Sequence, residues 1–493
     1  MEITGIAMLI ALGLGLIATG LPAWIVLIGV ACVFSAAGVS AGIIPWPLLG
    51  AIPSRLLGLL DSDLLQALPL YVLMGSLLNH LPLGRILFRV GSTMLRRTGA
   101  GAPLSAIGLG ALLAPLNGSV GASVSMLGRT LQPQLASSGI PIARSTALVC
   151  VASTFGVVIP PSLVLILLGD AMMRAHTEAL NVTHEAVRIV NTQDIFVGAL
   201  VPAGLLLLLG SLITWRASTR ATAATGASQR PTLTEWITAA ATTLLILTLL
   251  GGVALGYLYA VEAAAAGGMA LLVYGCVTRA LTRSELRAVL QETMAITGAL
   301  FALLVAATVF TLVLRAYGID RWLVGALGTL AGDRGRTWPL LAAVLAIVAL
   351  CALVLDAFEM IFVVIPIVMP PLLTAVHDVT WTAVLTLLIL QTSFLTPPFG
   401  YAVMMVRSSL RRPVSIRSLS AALLPYLLAQ CMVFALVASV PSLVWHRNPG
   451  TLVDTPPVGD QTEQQGRDML ERQLNEQELL LPEGSPTGNG ADR

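Results

Sequence analysis

A chain of 493 residues that is 56% hydrophobic and 11% charged, with a mean hydropathy of +0.88, cannot cover itself with a water-facing surface. Such a surface needs roughly a quarter of its residues charged. The net charge of +2 says little about partners, because the charges are sorted by position, and no nucleic-acid partner is expected. All 27 basic residues are arginine, which excludes a P-loop and Schiff-base chemistry.

Apolar runs near the ~20 residues that cross a bilayer recur along most of the chain, so the fold class is an all-α polytopic membrane protein. The five cysteines are singletons with no CxxC and read as small core residues. The five histidines are dispersed, so neither a metal centre nor a cofactor is expected. The first apolar run lacks a basic flank and reads as a retained span.

Taken in order, residues 1–63 supply N-terminal scaffold spans (6–20 and 24–44) and an interfacial stretch. Residues 64–215 form a first repeat. It opens on a span kinked at Pro69 and continues through residues 81–101, where Arg85, Arg89, Arg96 and Arg97 at helical spacing predict a helix on the membrane surface. Legs at 102–116 and 124–135 are each too short to cross the bilayer, so they read as a re-entrant hairpin with its tip at Asn117–Ser123. A span over 146–170 is broken at Pro160-Pro161, and another covers 195–215.

Residues 216–290 hold a polar linker, a scaffold span pair (237–258 and 261–277) and an amphipathic approach over 282–290. Residues 291–445 return to the first pattern. A span at 295–314 leads to a surface helix at 319–330, then to a hairpin around Asp356–Glu359. A helix over 383–404 is broken at Pro397-Pro398, and a last span covers 419–440. Residues 446–493 are polar, acidic and rich in Gly, Pro and Gln, and read as a disordered tail.

Pro133 and Pro370, Pro160 and Pro397, and Pro161 and Pro398 all stand 237 positions apart, which signals an internal duplication. Arginine-rich loops at 81–101, 129–144, 216–231, 279–287 and 407–417 fall on one side of this scheme, expected to be the cytoplasm. The loop at 315–337, with four arginines, falls on the other side. An odd number of crossings then separates the two copies, making them inverted repeats. Inverted repeats with interrupted helices are a transporter design whose site lies near the bilayer midplane.

The candidate site therefore draws on Asn117, Gly118, Ser119, Gly121 and Ser123, on Thr154, Pro160, Pro161 and Ser162, and on Asp356 and Glu359. Gln391, Thr392, Ser393, Thr396, Pro397, Pro398 and Gly400 complete it. Free carbonyls and hydroxyls at the tip would offer hard oxygen ligands to a cation; alternatively, its small residues serve only close helix packing. Adjacent prolines remove two successive donors and open a helix, or merely kink it. An acid at mid-bilayer costs ~2.5–3.5 kcal/mol and faces a cavity, whereas at the interface the cost fades.

The runs GSVGASV at 118–124, GVVIPPS at 156–162, DAFE at 356–359 and LQTSFLTPPFG at 390–400 resemble the large membrane subunit of tripartite ATP-independent periplasmic (TRAP) transporters. The similarity is to the mannitol/chloroaromatic or dicarboxylate-type branch, and covers about residues 1–445. The resemblance implies an ion-transporter-like fold and secondary active, sodium-coupled uptake of an organic acid by an elevator movement in the bacterial inner membrane. It also implies a small four-span membrane subunit, here expected as a separate chain, and a periplasmic substrate-binding protein. Sodium would act as coupling ion at the segments named above. A stand-alone sodium/carboxylate symporter or ion antiporter of similar build is the alternative. Three departures stand out: Ala357 where the branch has Trp, Ala203 after Pro202 where it has Gly, and the acidic tail.

Overall fold

The computed structural model describes residues 2–60, 63–117, 119–183, 190–219, 231–319, 322–323, 325, 337–410 and 414–444. Both the expected tail and most of the expected surface helix at 319–330 lie outside these residues. Among the described residues the chain is helical, with no strand.

Helices α1 (Glu2–Thr19) and α2 (Ala23–Ser40) open the chain, and two short helices, Trp46–Leu49 and Ile52–Leu60, lead into α3 (Asp63–His80). At Pro82, which has no N–H to continue the ladder, the chain turns by 65° into α4 (Leu83–Met94). The buried face of α4 is Leu83, Leu87, Phe88 and Val90, while Arg85 is exposed. The helix is thus amphipathic, as the arginine spacing predicts.

The first hairpin comprises α5 (Gly101–Leu113) and α6 (Val120–Ser137). It is followed by the broken pair α7 (Ile142–Val158) and α8 (Leu163–Thr183), bent by 40°. Helix α8 runs 13 residues beyond the expected end at Asp170, because Arg174 pairs with Asp170 one turn back and His176 turns into the core. Next come α9 (Thr192–Thr219), α10 (Leu233–Ala254), α11 (Ala260–Val277) and α12 (Arg283–Ala316). The amphipathic approach at 282–290 and the following span are thus one continuous 34-residue helix. Thr282 caps it from outside by accepting from Glu285 N, and no proline interrupts it.

The second hairpin is α13 (Thr337–Cys351), then a turn at Ala357–Glu359, a π-helical turn at Met360–Val364 and α14 (Ile365–Leu373). Helices α15 (Val379–Leu395), α16 (Tyr401–Ser409) and α17 (Ile416–Ser439) complete the fold. Among the described residues, six helices are long and apolar enough to cross a membrane, or up to eight if each bent pair is one span. In α7, every residue from Ser145 to Val158 is buried, and α15 is buried nearly throughout. Helices apolar on all sides belong at the centre. Outer helices instead expose Leu14, Val33, Leu208, Leu244 and Leu428, as a lipid-facing surface requires.

Polar contacts between helices sort into two ends. At one end Arg89 pairs with Glu235, Trp215 Nε1 donates to Thr98 O at 3.2 Å, and Arg144 donates to Ser218 at 3.2 Å. At the other, Arg315 grips Glu178 through two bonds of 2.6 and 2.7 Å, and Gln193 donates to Ala254 O at 2.7 Å. Helix α9 spans between them. Helix α7 begins beside its C-terminal end, at the Arg144–Ser218 bond. Helix α15 begins near its start, where a Cβ on Gly198 would lie 3.0 Å from Thr380 Cγ2. The two central helices therefore run in opposite directions.

Candidate functional site

The first hairpin closes through a 3₁₀ turn at Ala114–Asn117 and an extended Ser119 (φ −138, ψ 156). Ser119 Oγ accepts from Ala122 N at 3.0 Å and caps α6. The helix consequently starts at Val120, inside what composition marks as the tip. Gly121 and Ser123 belong to its first turn, and the open backbone is narrower than expected, because a serine N-cap satisfies the first free N–H groups. Gly118 lies outside the described residues. Ser123 Oγ donates to Ala114 O at 3.3 Å, tying the two legs together. Asn117 is buried at 5% exposure, and neither its Oδ1 nor its Nδ2 has a partner among the described residues. The turn lies against α7, where a Cβ on Gly156 would come within 2.6 Å of Ala114 O.

The second hairpin repeats this construction in register. Asp356 is extended (φ −73, ψ 168) and helix begins at Ala357, each 237 positions beyond Ser119 and Val120. Asp356 N donates to Glu359 Oε2 at 3.1 Å, while Asp356 Oδ1 is buried without a partner. Here the carboxylate of Glu359 closes the first turn, where the first hairpin uses the Ser119 hydroxyl. The π-helical turn that follows is a rare element, most often found where a helix has been adapted to bind.

The broken helices match as closely. Helices α7 and α15 are each 17 residues long and end at Val158 and Leu395, again 237 apart. Ile159 and Thr396 then adopt nearly the same extended conformation (ψ 116 and 111), and both Pro-Pro bonds are cis. Ser162 Oγ accepts from Leu165 N at 3.2 Å and starts α8. At the second break Gly400 N donates to Thr396 O at 2.7 Å. A Cβ on Gly400 would fall 2.6 Å from Phe394 O, so the turn admits only glycine. The environments differ: Pro160 and Pro161 are buried, whereas Pro398 is exposed and Phe399 is 62% exposed.

Thr154, Thr392 and Thr396 donate to carbonyls within their own helices at 3.0, 2.7 and 2.8 Å. Their oxygens keep acceptor capacity, but their donors are spent. Ser393 is buried. Gln391, in the same repeat position as Thr154, is fully buried with neither amide atom partnered among the described residues. A buried unpaired polar group costs about 1–3 kcal/mol. Asn117, Asp356 and Gln391 thus carry unmatched hydrogen-bonding capacity at three of the interrupted segments.

Tyr401, absent from the sequence-derived set, connects these segments. It opens α16 just after the second break, and its hydroxyl lies 3.1 Å from where a Cβ on Gly121 would sit. It is also within electrostatic reach of Asp356 and Glu359. The start of the first hairpin's second leg therefore packs against Tyr401. The packing is crossed: α6 of the first hairpin lies on α16, and α14 of the second lies on α8. The signal available in the sequence was an aromatic directly after Gly400, which no local pattern distinguishes from a packing residue.

Residues 9–443 match the family model described as the DctM component of the tripartite ATP-independent periplasmic transporter. The chain belongs to this family. As a DctM-family protein it is a multi-pass large permease subunit of a TRAP transporter, a transporter class and not an enzyme class. It is 23% identical over 386 residues to the C4-dicarboxylate TRAP transporter large permease protein DctM of Rhodobacter capsulatus, covering 77% of this chain and 85% of that one. It is 34% identical over 105 residues to a putative TRAP transporter large permease protein of Haemophilus influenzae, spanning 21% of this chain and 26% of that protein. The DctM-family fold resembles the crystal structure of the Alcanivorax borkumensis YdaH transporter with a TM-score of 0.58. That match is 19% identical and covers 81% of this chain and 89% of that one.

Proposed function

We propose that this permease subunit carries an organic acid inward together with sodium, receiving it from a periplasmic binding protein and working beside a small four-span membrane subunit in the bacterial inner membrane. The reading rests above all on one observation. Asn117, Asp356 and Gln391 hold buried, unmatched polar atoms at three of the interrupted segments. Exposed peptide carbonyls, threonine and serine oxygens and a carboxylate are hard ligands suited to sodium, and a cation beside Asp356 and Glu359 offsets the cost of holding acids there. The candidate ligands remain those of the two tips and two breaks, including Ser119, Glu359, Ser162, Thr396 and Gly400, with Tyr401 added.

Two inverted repeats are supported by the 237-residue register and by the opposite directions of α7 and α15. An elevator movement follows as a proposal: the hairpins and broken helices travel as one body against α3 and α12. One elementary charge moving down 100 mV yields ~2.3 kcal/mol, so a monoanion carried with two sodium ions is driven by the membrane potential. The test is uptake by the reconstituted complex under an imposed sodium gradient with substrate-loaded binding protein. Uptake that ignores sodium overturns the coupling. Uptake that persists without the binding protein points instead to a stand-alone symporter.

A further inference from the structure

A groove of about 450 Å³ opens on the outer surface between α4, α5 and α10, away from the hairpin tips. Its α10 wall is a stripe from Trp236 to Leu247, about 16 Å long at 1.5 Å per residue. That is half of a ~30 Å hydrocarbon core, the depth of one leaflet. The polar groups along it are nearly all satisfied: Ser105 Oγ donates to Phe88 O at 3.1 Å, and the remaining lining is apolar apart from the Thr243 hydroxyl. Gly108 faces the opening, since a Cβ there would meet nothing within 4 Å.

One end of the groove is charged. Leu95 lines it and is followed directly by Arg96 and Arg97, both exposed and without an acidic partner among the described residues. Glu235, next to Trp236, is held by Arg89 across the mouth, so the acid there is already neutralised. Trp236 lines the groove and the Trp215 indole donates to Thr98 O close to these arginines in the chain; tryptophans of this kind are enriched at membrane interfaces. A transmembrane helix, about 10 Å across, would lie over such a groove rather than inside it. An acyl chain enters it along its length.

We propose that this groove is a binding site for one anionic phospholipid, its acyl chain lying along α10 and its phosphate held by Arg96 and Arg97. The site does not depend on how transport is coupled, so it stands or fails separately. A basic residue near the surface favours an anionic lipid by about fivefold, so the two arginines together account for about 30-fold.

Native mass spectrometry of the delipidated full chain, titrated with phosphatidylglycerol or phosphatidylcholine, reads this directly. The unaltered protein is expected to retain one phosphatidylglycerol with about 30-fold preference. The double variant Arg96→Gln/Arg97→Gln is expected to bind both lipids equally, and Gly108→Leu, which fills the groove without meeting backbone, to lose the adduct. Equal binding by the unaltered protein, or a preference that survives the arginine changes, overturns the proposal. Phosphatidylglycerol with a photoreactive acyl tail supplies a second readout on the unaltered chain. Label in residues 104–112 and 236–247 supports the site. Label elsewhere, or label in these segments abolished once a partner membrane subunit is bound, refutes it and assigns the groove to that partner.

Discussion

Replacing Gln391 by leucine separates a residue kept for packing from one kept for a ligand. The side chain is fully buried and neither amide atom has a partner among the described residues. Each unpaired atom costs about 1–3 kcal/mol, and the two belong to one group, so removing the amide at nearly constant volume is expected to stabilise the ligand-free protein by about 2 kcal/mol. At ~2.1 cal/mol/K per residue, that moves the unfolding midpoint by only about 2 °C in a chain of this length. Scanning fluorimetry in detergent without sodium or substrate resolves such a shift. Uptake in proteoliposomes, measured on the same preparation, is expected to fall at least tenfold, because the ligand loses a buried hydrogen-bonding group. A midpoint that drops by several degrees would mean that the amide is structurally satisfied. Full uptake with a raised midpoint would show that it contacts no ligand. Either result refutes the argument from unmatched polar atoms.

Three further outcomes follow from the geometry. Gly156→Ala drives a Cβ to 2.6 Å from Ala114 O and is expected to cost about 1–3 kcal/mol by overpacking, read as a lower midpoint; an unchanged midpoint would show that the first tip does not press on α7. Ser119→Ala removes a helix cap worth about 1 kcal/mol, whereas Ser119→Asp is expected to keep it, since a carboxylate at an N-cap accepts the same N–H; equal loss in both variants would remove the capping role. Arg315 and Glu178 join the ends of α12 and α8 at a partly exposed site, so a double-mutant cycle with Arg315→Gln and Glu178→Gln is expected to give a coupling of about 0.2–1 kcal/mol; zero coupling would mean that the bonds do not survive in solution.

The large features were legible in the chain because they are marked by residues with narrow conformational meaning. Paired prolines at a fixed offset mark both breaks, and the arginine spacing of α4 marks its amphipathic character. Boundaries set by capping were not legible. A Gly/Ser-rich stretch reads as loop by composition, yet Ser119 starts a helix at Val120 by accepting one N–H. The continuity of α12 was hidden because a switch from amphipathic to apolar pattern looks the same whether the helix breaks there or simply enters the membrane. In the sequence, Thr154, Thr392 and Thr396 stand out for their hydroxyls. Their donors are spent on carbonyls one turn back, which a sequence cannot reveal. The place of Tyr401 against Gly121 is created by long-range packing of α16 on α6, not by its neighbours in the chain, so no local pattern reveals it.

The two proline joints share a backbone but not a setting: one is enclosed, the other opens beside a bare Phe399. The molecule thus has one guarded proline joint and one accessible one. A change at residues 160–162 must be accommodated by the surrounding core, while a change at 397–399 meets little resistance. The exposed joint is accordingly expected to be reachable by a chemical label from outside, and its enclosed counterpart to be protected.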